Sequence, residues 1–302
     1  MSKEKILITG GLGFVGQNLV KSFSKENEIL IIDIKEIEKD YPSKKFKYKK
    51  IDIRDPNLRN IIKNFNPNVV IHCAAQTSVI ESMNDPNNTK SINVNGTKNV
   101  IDGLKELDNC FFIFISSGGA IYGNPKSLPV DEDHPLEPIS EYGFSKYEGE
   151  KLIEKNLKGS HIKFAILRPS NIYGPGQITN NVIPIFIERM RLNKDVIIYG
   201  DGNSSRDYIF INDLVKIIKT FCEKKISSKV NVSTNKEVKI IDIFTILKEK
   251  LSYKLDPKFE PIRDGEVEKI YLDNKKIIKL TGFKKFTNIQ DGLLEIINSQ
   301  NL

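Results

Sequence analysis

The segment KILITGGLGFVG, residues 5–16, decides the fold of this 302-residue chain. Its apolar start predicts a short buried strand, and the chain that follows it, up to residue 24, has the periodicity of a helix. Between the two, Gly10 suits a tight turn, Gly13 lets the backbone approach a pyrophosphate, and Gly16 permits close packing of helix on strand. The helix would offer its free N–H groups to the phosphates. The segment therefore predicts a dinucleotide-binding unit.

The alternation of strand and helix continues through the first half of the chain. Apolar runs predict further buried strands at residues 28–34, 47–53, 69–75, 110–117 and 162–169. Helical periodicity lies between them at residues 58–65, 88–107 and 142–156. Strands that are apolar throughout indicate a parallel sheet with both faces covered. The predicted fold class is α/β, a doubly wound parallel sheet.

The chain changes in character beyond residue 169. Residues 170–181 are rich in Gly, Pro and Asn, which predicts a loop. Shorter helices and strands follow, so the last third predicts a smaller C-terminal α/β unit that caps the carboxyl edge of the sheet.

The charge balance argues against a nucleic-acid partner. The chain has 46 basic and 39 acidic residues, for a net charge of +7. Only seven of the basic residues are Arg, and the Lys residues are spread along the chain, mostly interleaved with Glu. This pattern lacks the Arg-rich or aromatic-interleaved surface of a nucleic-acid-binding protein. Because Arg is rare, each Arg beside a loop is a candidate ligand residue.

Cysteine usage and hydropathy predict a soluble cytoplasmic protein with no membrane partner. No apolar run approaches the roughly 18–20 residues of a spanning helix, and the first ten residues lack a signal-peptide pattern. Cys73, Cys110 and Cys222 have no CxxC or metal-ligand spacing. The three histidines form no recognisable pattern either, and His72 is interpreted as a packing residue. We therefore expect no metal site.

The end of the second predicted strand carries a candidate selector of the cofactor. Asp33 lies 17 residues after Gly16, where a carboxylate would hydrogen-bond the hydroxyls of the adenosine ribose. The same carboxylate would repel a 2′-phosphate, so NAD is favoured over NADP. Lys35 nearby keeps NADP open as an alternative.

A second candidate site is the segment YGFSK at the start of a predicted helix. Tyr142 and Lys146 are four residues apart and so share one helix face. An ammonium beside a phenol stabilises the phenolate and lowers the tyrosine pKa, which lets Tyr act as a base. The pair follows a strand that ends in Ser116 and Ser117, at the edge where such a sheet binds ligands. This position distinguishes it from the many YxxxK pairs that are only surface contacts.

Taken together, these segments resemble the extended short-chain dehydrogenase/reductase family, and within it the nucleotide-sugar 4-epimerases that act on UDP-glucose and UDP-N-acetylglucosamine. The matching segments span nearly the whole chain in family order: TGGLGFVG (9–16), HCAAQ (72–76), NVNGTKNV (93–100), SSGGAIYG (116–123), YGFSK (142–146), LRPSNIYGPGQ (167–177), NVIPIFIE (181–188), YGDGNSSRDYIFINDLV (199–215) and RDGE (263–266).

The resemblance implies a cofactor site in the Rossmann half of the chain. Asp52 and Ile53 would border the adenine of NAD, and the loop from Ala74 to Gln76 would pass beside the nicotinamide. The implied cofactor-binding residues are Gly10, Gly13, Phe14, Val15, Gly16, Asp33, Asp52, Ile53, Ala74, Ala75, Gln76, Asn93, Ser116, Tyr142, Lys146 and Pro169.

The resemblance also implies the substrate site and the reaction. Tyr142 would be the general base, and Lys146 would orient it and bind the nicotinamide ribose. Arg206 and Arg263 would hold the substrate pyrophosphate, which suits a guanidinium because it can bind bidentately. The implied catalytic residues are Tyr142, Lys146 and Ser117; the implied substrate-binding residues are Ser117, Gly118, Tyr142, Asn171, Val182, Arg206 and Arg263. The reaction would oxidise the sugar at C4, let the 4-keto sugar rotate about its anchored pyrophosphate, and reduce it from the other face.

The sequence departs from the family at three places. Gly118 stands where most members have a Ser or Thr hydroxyl that bonds the reacting sugar oxygen; Ser117 is our preferred replacement and Ser116 the alternative. Gly119 and Ala120 replace the acidic residues of the sugar dehydratases, which argues against dehydration. Ile270 stands where epimerases of unacetylated sugars tend to have a bulky Tyr, so an N-acetyl group would be admitted.

Two other functions remain open. A 4-ketosugar reductase would share the Tyr–Lys pair but consume NAD(P)H, and a non-catalytic dinucleotide- or RNA-binding protein would not need the pair. The resemblance implies a homodimer through the helices at 88–107 and 142–156. It also implies an NAD-binding domain of residues 1–169, to which residues 208–234 return, and a nucleotide-sugar-binding domain of residues 170–207 and 235–302.

Overall fold

The computed structural model describes residues 3–37, 45–177, 181–262 and 267–299. Its strands are β1 (Lys5–Thr9), β2 (Glu28–Asp33), β3 (Lys47–Lys50), β4 (Val69–His72), β5 (Phe111–Ile115), β6 (Lys163–Pro169), β7 (Asn171–Tyr173), β8 (Ile197–Tyr199), β9 (Ser205–Arg206), β10 (Tyr208–Phe210), β11 (Lys229–Val232), β12 (Val238–Lys239), β13 (Lys258–Glu260) and β14 (Lys269–Ile270).

Helices connect most of the strands of the main sheet and cover its faces. They are α1 (Phe14–Phe23), α2 (Leu58–Phe65), α3 (Val79–Asn84), α4 (Pro86–Lys90), α5 (Thr97–Leu104), α6 (Gly118–Ile121), α7 (Glu141–Leu157), α8 (Val182–Arg191), α9 (Ile211–Lys224), α10 (Ile240–Lys250), α11 (Lys275–Thr281) and α12 (Ile289–Ser299).

A seven-stranded parallel sheet positions the site. Its order is β11-β6-β5-β4-β1-β2-β3, so the chain moves outward from β1 in one direction and then from β4 in the other. In a doubly wound sheet, ligands bind at the carboxyl ends of the strands where the order reverses. The predicted α/β fold class is confirmed, and the expected site lies beyond the ends of β1 and β4.

The two faces of β1 show why the sheet is covered on both sides. Ile6 and Ile8 point into one apolar core, where they pack with Leu19 of α1. Leu7 points the opposite way, into a second core that includes Val100 of α5. Successive residues of a strand face opposite sides of a sheet, so a strand that is apolar at every position needs a helical layer on each face.

The C-terminal part of the chain builds a smaller unit and also returns to the main sheet. Helices α8, α10 and α12 share a separate apolar core with β8 and β10. Strand β11 pairs with β6 at the edge of the main sheet. The division of the chain into two domains stays a prediction.

Three sequence predictions of local structure are wrong. The helix expected at 88–107 is interrupted by a π-helical turn at Ser91–Gly96, in which the Asn93 side chain makes two hydrogen bonds with the backbone of Gln76. The segment 170–181, expected as loop, contains β7, which gains ladder hydrogen bonds from β10. The strand expected at 110–117 ends at Ile115, because Gly118 starts α6.

Within the described residues, no helix is long and apolar enough to cross a membrane. In the same part of the chain, His, Cys, Asp and Glu side chains form no group of three or more that would hold a metal ion.

Candidate active site

A cavity of about 720 Å³ opens at the carboxyl ends of the central strands, where the strand order reverses. This volume suits a small-molecule site. The structure brings most of the predicted site residues to its wall: Gly10, Gly13, Phe14, Val15, Gly16, Asp33, Asp52, Ile53, Ala74, Ala75, Gln76, Ser116, Ser117, Tyr142, Lys146, Pro169, Asn171 and Val182. Sequence positions from 10 to 182 therefore converge on one site.

Two positions of the glycine turn, Gly10 and Gly16, leave no room for side chains. Gly10 has a positive φ of 68°, and a Cβ atom on it would lie 2.6 Å from the backbone nitrogen of Ala74. A Cβ on Gly16 would lie 2.1 Å from the carbonyl oxygen of Gly10. The bare backbone of this turn forms part of the cavity wall, and it is the kind of surface that a pyrophosphate can approach closely.

The carboxylate of Asp33 is held in place at the end of β2. Its Oδ2 accepts a hydrogen bond of 2.9 Å from the Leu12 amide, and its Oδ1 accepts one of 3.1 Å from the Lys35 amide. Each carboxylate oxygen can accept a further bond. The residues present therefore fit NAD on two counts: an open backbone turn for the pyrophosphate and a fixed carboxylate for a ribose.

Arg54 lines the same end of the cavity, and the sequence reasoning missed it. Its Nε and Nη2 bind the carboxylate of Asp52 at 2.9 and 2.6 Å, and its Nη1 donates to Ser91 Oγ at 3.2 Å. The guanidinium lowers the pKa of Asp52 through these hydrogen bonds. The rarity of Arg in the chain was a signal that could have singled it out.

Lys146 is buried at the floor of the cavity, and Tyr142, which lines the same cavity, is half-buried. Burial raises the pKa of Tyr142 to about 12, and a hydrogen bond with the Ser117 side chain acts in the opposite direction. Lys146 Nζ donates to the carbonyl oxygen of Ile115 at 2.9 Å. Burial lowers the pKa of Lys146 to about 8. Burial thus disfavours the charged form of each group and moves the two pKa values apart, so the phenolate depends on the hydrogen bond from Ser117 and on the Lys146 ammonium for its stabilisation.

The two serines at the end of β5 have different partners. Ser116 is buried, and its Oγ donates to Glu150 Oε1 at 2.6 Å. Ser117, the next residue, bonds Tyr142 instead. The geometry therefore favours Ser117 over Ser116 as the hydroxyl beside the base, although its catalytic role stays a prediction.

Gly118 lies outside the lining of the cavity. A Cβ on Gly118 would lie 2.4 Å from Leu272 Cδ1 and 2.9 Å from the carbonyl oxygen of Arg168. The space in which a side chain at this position would sit is already filled by Leu272. The packing around position 118 therefore leaves no space for the Ser or Thr side chain that most family members have there.

The remaining predicted residues lie behind or beyond the cavity wall. Asn93 is buried; its Oδ1 accepts from the Gln76 amide at 2.8 Å, and its Nδ2 donates to the Gln76 carbonyl at 2.9 Å. Arg206 does not line the cavity, and its Nη1 donates to the carbonyl of Glu268 at 3.1 Å. Arg263 lies outside the described residues. Ile270 is buried in an apolar cluster with Tyr122, so its effect on N-acetyl groups stays a prediction.

His72 has a structural place next to this site. Its Nδ1 lies 2.6 Å from Thr9 Oγ1 and its Nε2 lies 3.0 Å from Thr97 Oγ1. Burial, together with the charge of Lys146, lowers the pKa of His72 to about 3. The imidazole is therefore neutral and joins β1, β4 and α5 through hydrogen bonds.

A doubly wound sheet with a bare glycine turn, an acidic residue at the end of β2 and a Tyr and a Lys one helical turn apart in the cavity wall defines an NAD-binding protein of the short-chain dehydrogenase/reductase type. The chain belongs to the NAD dependent epimerase/dehydratase family, whose sequence model matches residues 6–233. The family predicted from the sequence is confirmed.

Within this family, the chain is similar to several UDP-glucose 4-epimerases. A putative UDP-glucose 4-epimerase of Methanocaldococcus jannaschii is 38% identical over 97% of both chains. The crystal structure of a UDP-glucose 4-epimerase from Thermotoga maritima with UDP-glucose is 30% identical, with a TM-score of 0.94 over 98% of each chain. The structure of a Thermus thermophilus UDP-glucose 4-epimerase with NAD is 26% identical, with a TM-score of 0.91 over 98% of this chain and 99% of that one.

Proposed function

We propose that this protein holds NAD and interconverts the C4 epimers of a UDP-linked sugar. The observation that carries the proposal is the half-buried Tyr142 side chain, bonded to Ser117, in the same cavity as the bare glycine turn and Asp33. The relatives and solved structures that cover nearly the whole chain support the same reaction. Bound NAD supplies reversible hydride transfer at C4.

The residues of the chain move and hold the proton. Tyr142, as the phenolate, accepts the proton of the C4 hydroxyl, and the Ser117 hydroxyl bonds the same oxygen. The Lys146 ammonium stabilises the phenolate, and its bond to the Ile115 carbonyl fixes its position. After the flat keto sugar has rotated, Tyr142 returns the proton.

Firm binding of the nucleotide combined with loose binding of the sugar is the physical requirement for this rotation. Val182 and Asn171 lie in the cavity wall, at the end towards the smaller unit. We assign the pyrophosphate to Arg206 and Arg263, as the family resemblance implies. Which sugar is accepted, and whether it has an N-acetyl group, is left to the experiment below.

Proton NMR of the anomeric region tests the function directly. The purified protein is incubated with UDP-glucose, UDP-galactose or their N-acetylated forms, without added coenzyme. We expect conversion to the C4 epimer, with retained NAD. No conversion of any of the four would overturn the proposal, and oxidation of added NAD(P)H in step with reduction of a nucleotide 4-ketosugar would instead establish a 4-ketosugar reductase.

The coenzyme preference depends on Asp33. We expect Asp33→Ser to weaken NAD binding by about tenfold to a hundredfold, since a bond to a charged acceptor contributes about 1.5–3 kcal/mol. Binding of NADP should improve, because the negative charge that repels a 2′-phosphate is gone. Calorimetric titration of the apoprotein measures both affinities.

Asp33→Asn is the matched control for this experiment, since it keeps the shape of the side chain and one acceptor oxygen for the Leu12 amide. It should relax the discrimination against NADP while NAD binding falls less than in Asp33→Ser. Unchanged discrimination in both variants would show that Asp33 does not select the coenzyme.

The packing at Gly118 gives a further prediction. We expect Gly118→Ser to destabilise the fold by about 1–3 kcal/mol and to lower turnover, because the new side chain overlaps Leu272. In a double-mutant cycle with Leu272→Ala, the two destabilisations should be less than additive. Thermal unfolding of the natural protein, the two single variants and the double variant measures the coupling free energy between positions 118 and 272. Additive effects would show that Leu272 does not fill this space.

We also propose that the protein is a homodimer. Ile80, Met83 and Phe144 form an exposed apolar face on α3 and α7, with 56%, 50% and 47% of their surfaces exposed. The two helices are joined by a bond of 3.0 Å from the Tyr142 amide to Ser82 Oγ. A second copy seated on this face would cover the three side chains. Sedimentation velocity should show a dimer for the natural protein and a monomer for Phe144→Glu.

The predicted cytoplasmic location is consistent with the free thiols of Cys73, Cys110 and Cys222. This location stays a prediction.

A further inference from the structure

Helix α7 and the end of β5 contact each other through three successive pairs of residues. Tyr142, Lys146 and Glu150 are four residues apart and so lie one above the other on the helix. Lys146 binds the carbonyl of Ile115 at 2.9 Å, Glu150 accepts from Ser116 Oγ at 2.6 Å, and Tyr142 bonds Ser117. Each residue of this strand end thus has its own partner on the helix, and only the Glu150 pair is without an assigned role.

Glu150 is a fully buried carboxylate that is paired through both of its oxygens with a buried guanidinium. Arg168 Nε donates to its Oε1 at 3.0 Å and Nη2 to its Oε2 at 2.7 Å, with both side chains about 1–2% exposed. Arg168 Nη1 donates to the Tyr122 hydroxyl at 2.8 Å, and that hydroxyl donates to Asn231 Oδ1 at 2.8 Å. A bidentate pair of this kind is strong. Burying it is costly, however, and well-packed apolar replacements are frequently as stable.

Among the titratable groups that face Lys146, Glu150 is the carboxylate. From β4 and the residue after it, Lys146 faces His72 and Cys73; from its own helix it faces Glu150, and Tyr142 lies one turn before it on that helix. Burial keeps His72 uncharged and raises the pKa of the Cys73 thiol to about 12. From β5 it meets the ring of Phe114, 5.0 Å away, and the Ile115 carbonyl. Arg168 is paired with Glu150 one turn further along the helix.

We propose that Glu150 is a positioning residue for the Tyr142–Lys146 pair. Through Ser116 it ties the strand end that holds Lys146 and Ser117 to the helix that carries the base. Through its charge it keeps the Lys146 ammonium protonated at the pH where Tyr142 must act as a base. Glu150 does not line the cavity, so it acts through its neighbours.

The test separates the effect of the Glu150 charge on Lys146 from the effect of the hydrogen bond between Glu150 and Ser116. Glu150→Gln together with Arg168→Met removes both buried charges and leaves no unpaired ion. Ser116→Ala cuts the tie and leaves the ion pair in place. Glu154→Gln is the matched control: Glu154 is one turn further along α7 and pairs with Lys229 at the surface, at 2.6 Å. Thermal unfolding establishes that each variant is folded.

Two readouts apply to every variant. The first is the pKa of Lys146, followed by NMR of its side-chain nitrogen in protein labelled with 15N-lysine, with the resonance assigned from Lys146→Arg. The second is the pH dependence of kcat and KM for the UDP-sugar.

We expect the pKa of Lys146 to fall by about one unit in the double variant, a tenfold change in its ionisation equilibrium, because the nearby anion is lost. Since the ammonium is then lost at a lower pH, the alkaline limb of kcat should move to lower pH by the same amount. KM should be unchanged, as for an interaction made only in the transition state. Ser116→Ala should lower kcat about tenfold with no change in the pKa of Lys146, and Glu154→Gln should change neither.

A folded double variant with the natural pKa of Lys146 and the natural alkaline limb would overturn the charge role, and natural turnover in Ser116→Ala would overturn the tie. Should the double variant unfold, Glu150→Gln alone supplies the same lysine titration, and a larger fall in the pKa of Lys146 is expected because the Arg168 guanidinium remains. The turnover readout rests on the proposed function, but the lysine titration does not. Failure of the natural protein to convert any UDP-sugar would therefore sink the proposed function and leave the positioning role to be decided by NMR.

Discussion

Tyr142→Phe is expected to lower kcat by about 10²–10⁴-fold, the usual contribution of a positioned general base. The substitution removes one oxygen and keeps the ring that lines the cavity. It also keeps the Tyr142 amide bond to Ser82, because that bond is made by the backbone. NAD content and KM for the sugar nucleotide should therefore stay near their natural values.

The matched control for this variant is Tyr147→Phe, the same change on the same helix at a position outside the cavity lining, where the ring lies against Lys151. Its turnover should equal that of the natural protein. Ser117→Ala should also slow turnover, and the loss in the double variant with Tyr142→Phe should be smaller than the product of the two single losses, since the two hydroxyls act on one oxygen. Near-normal turnover in Tyr142→Phe would rule out Tyr142 as the base.

Gly16→Ala is expected to lower the melting temperature by about 5 °C or more and to abolish retention of NAD. The added Cβ would lie 2.1 Å from the Gly10 carbonyl oxygen and 2.6 Å from Gly11 Cα. Both are backbone atoms of the turn and cannot rotate away, so the start of α1 must move off the strand.

Gly13→Ala distinguishes an effect on the stability of the fold from an effect on NAD binding. A Cβ at Gly13 would meet only the Gly10 carbonyl oxygen, at 3.3 Å, so the melting temperature should change little. The same methyl group would stand where the pyrophosphate approaches, so NAD retention should still be lost. Differential scanning fluorimetry and the nucleotide content of the purified proteins measure the two effects. Equal melting temperatures for the two variants would contradict the packing role of Gly16.

The parts of the fold that local patterns determine could be predicted well. Continuous apolar strands between helices leave a parallel sheet covered on both faces as the simplest solution, and glycine spacing followed by Asp33 has one well-known structural context. The site residues that lie directly after strands, such as Ala74 and Pro169, converge because the carboxyl ends of parallel strands share an edge. Position in the chain was sufficient for these residues.

Residues whose roles depend on packing between distant segments could not be found in this way. The choice between Ser116 and Ser117 depends on such packing: the sequence favoured Ser117, but β5 ends at Ile115, so strand alternation does not apply there, and the reason for the choice lies in the contacts of Ser117 with Tyr142 and of Ser116 with Glu150. Leu272 reaches Gly118 from more than 150 residues away in the sequence. The sequence could have singled out Glu150, because it continues the four-residue spacing of Tyr142 and Lys146. Its pairing with Arg168 is visible only in the folded chain.

The buried chain from Glu150 through Arg168 and Tyr122 ends at Asn231 in β11, the edge strand of the main sheet. During synthesis the N-terminal part of a chain emerges and begins to fold first. A nascent protein that has emerged only as far as β10 already has the glycine turn, Asp33 and the Tyr–Lys pair, but not the residue on which this hydrogen-bond chain ends. We therefore expect the cofactor-binding residues to emerge before the support beneath the base can be completed, which needs the chain as far as β11.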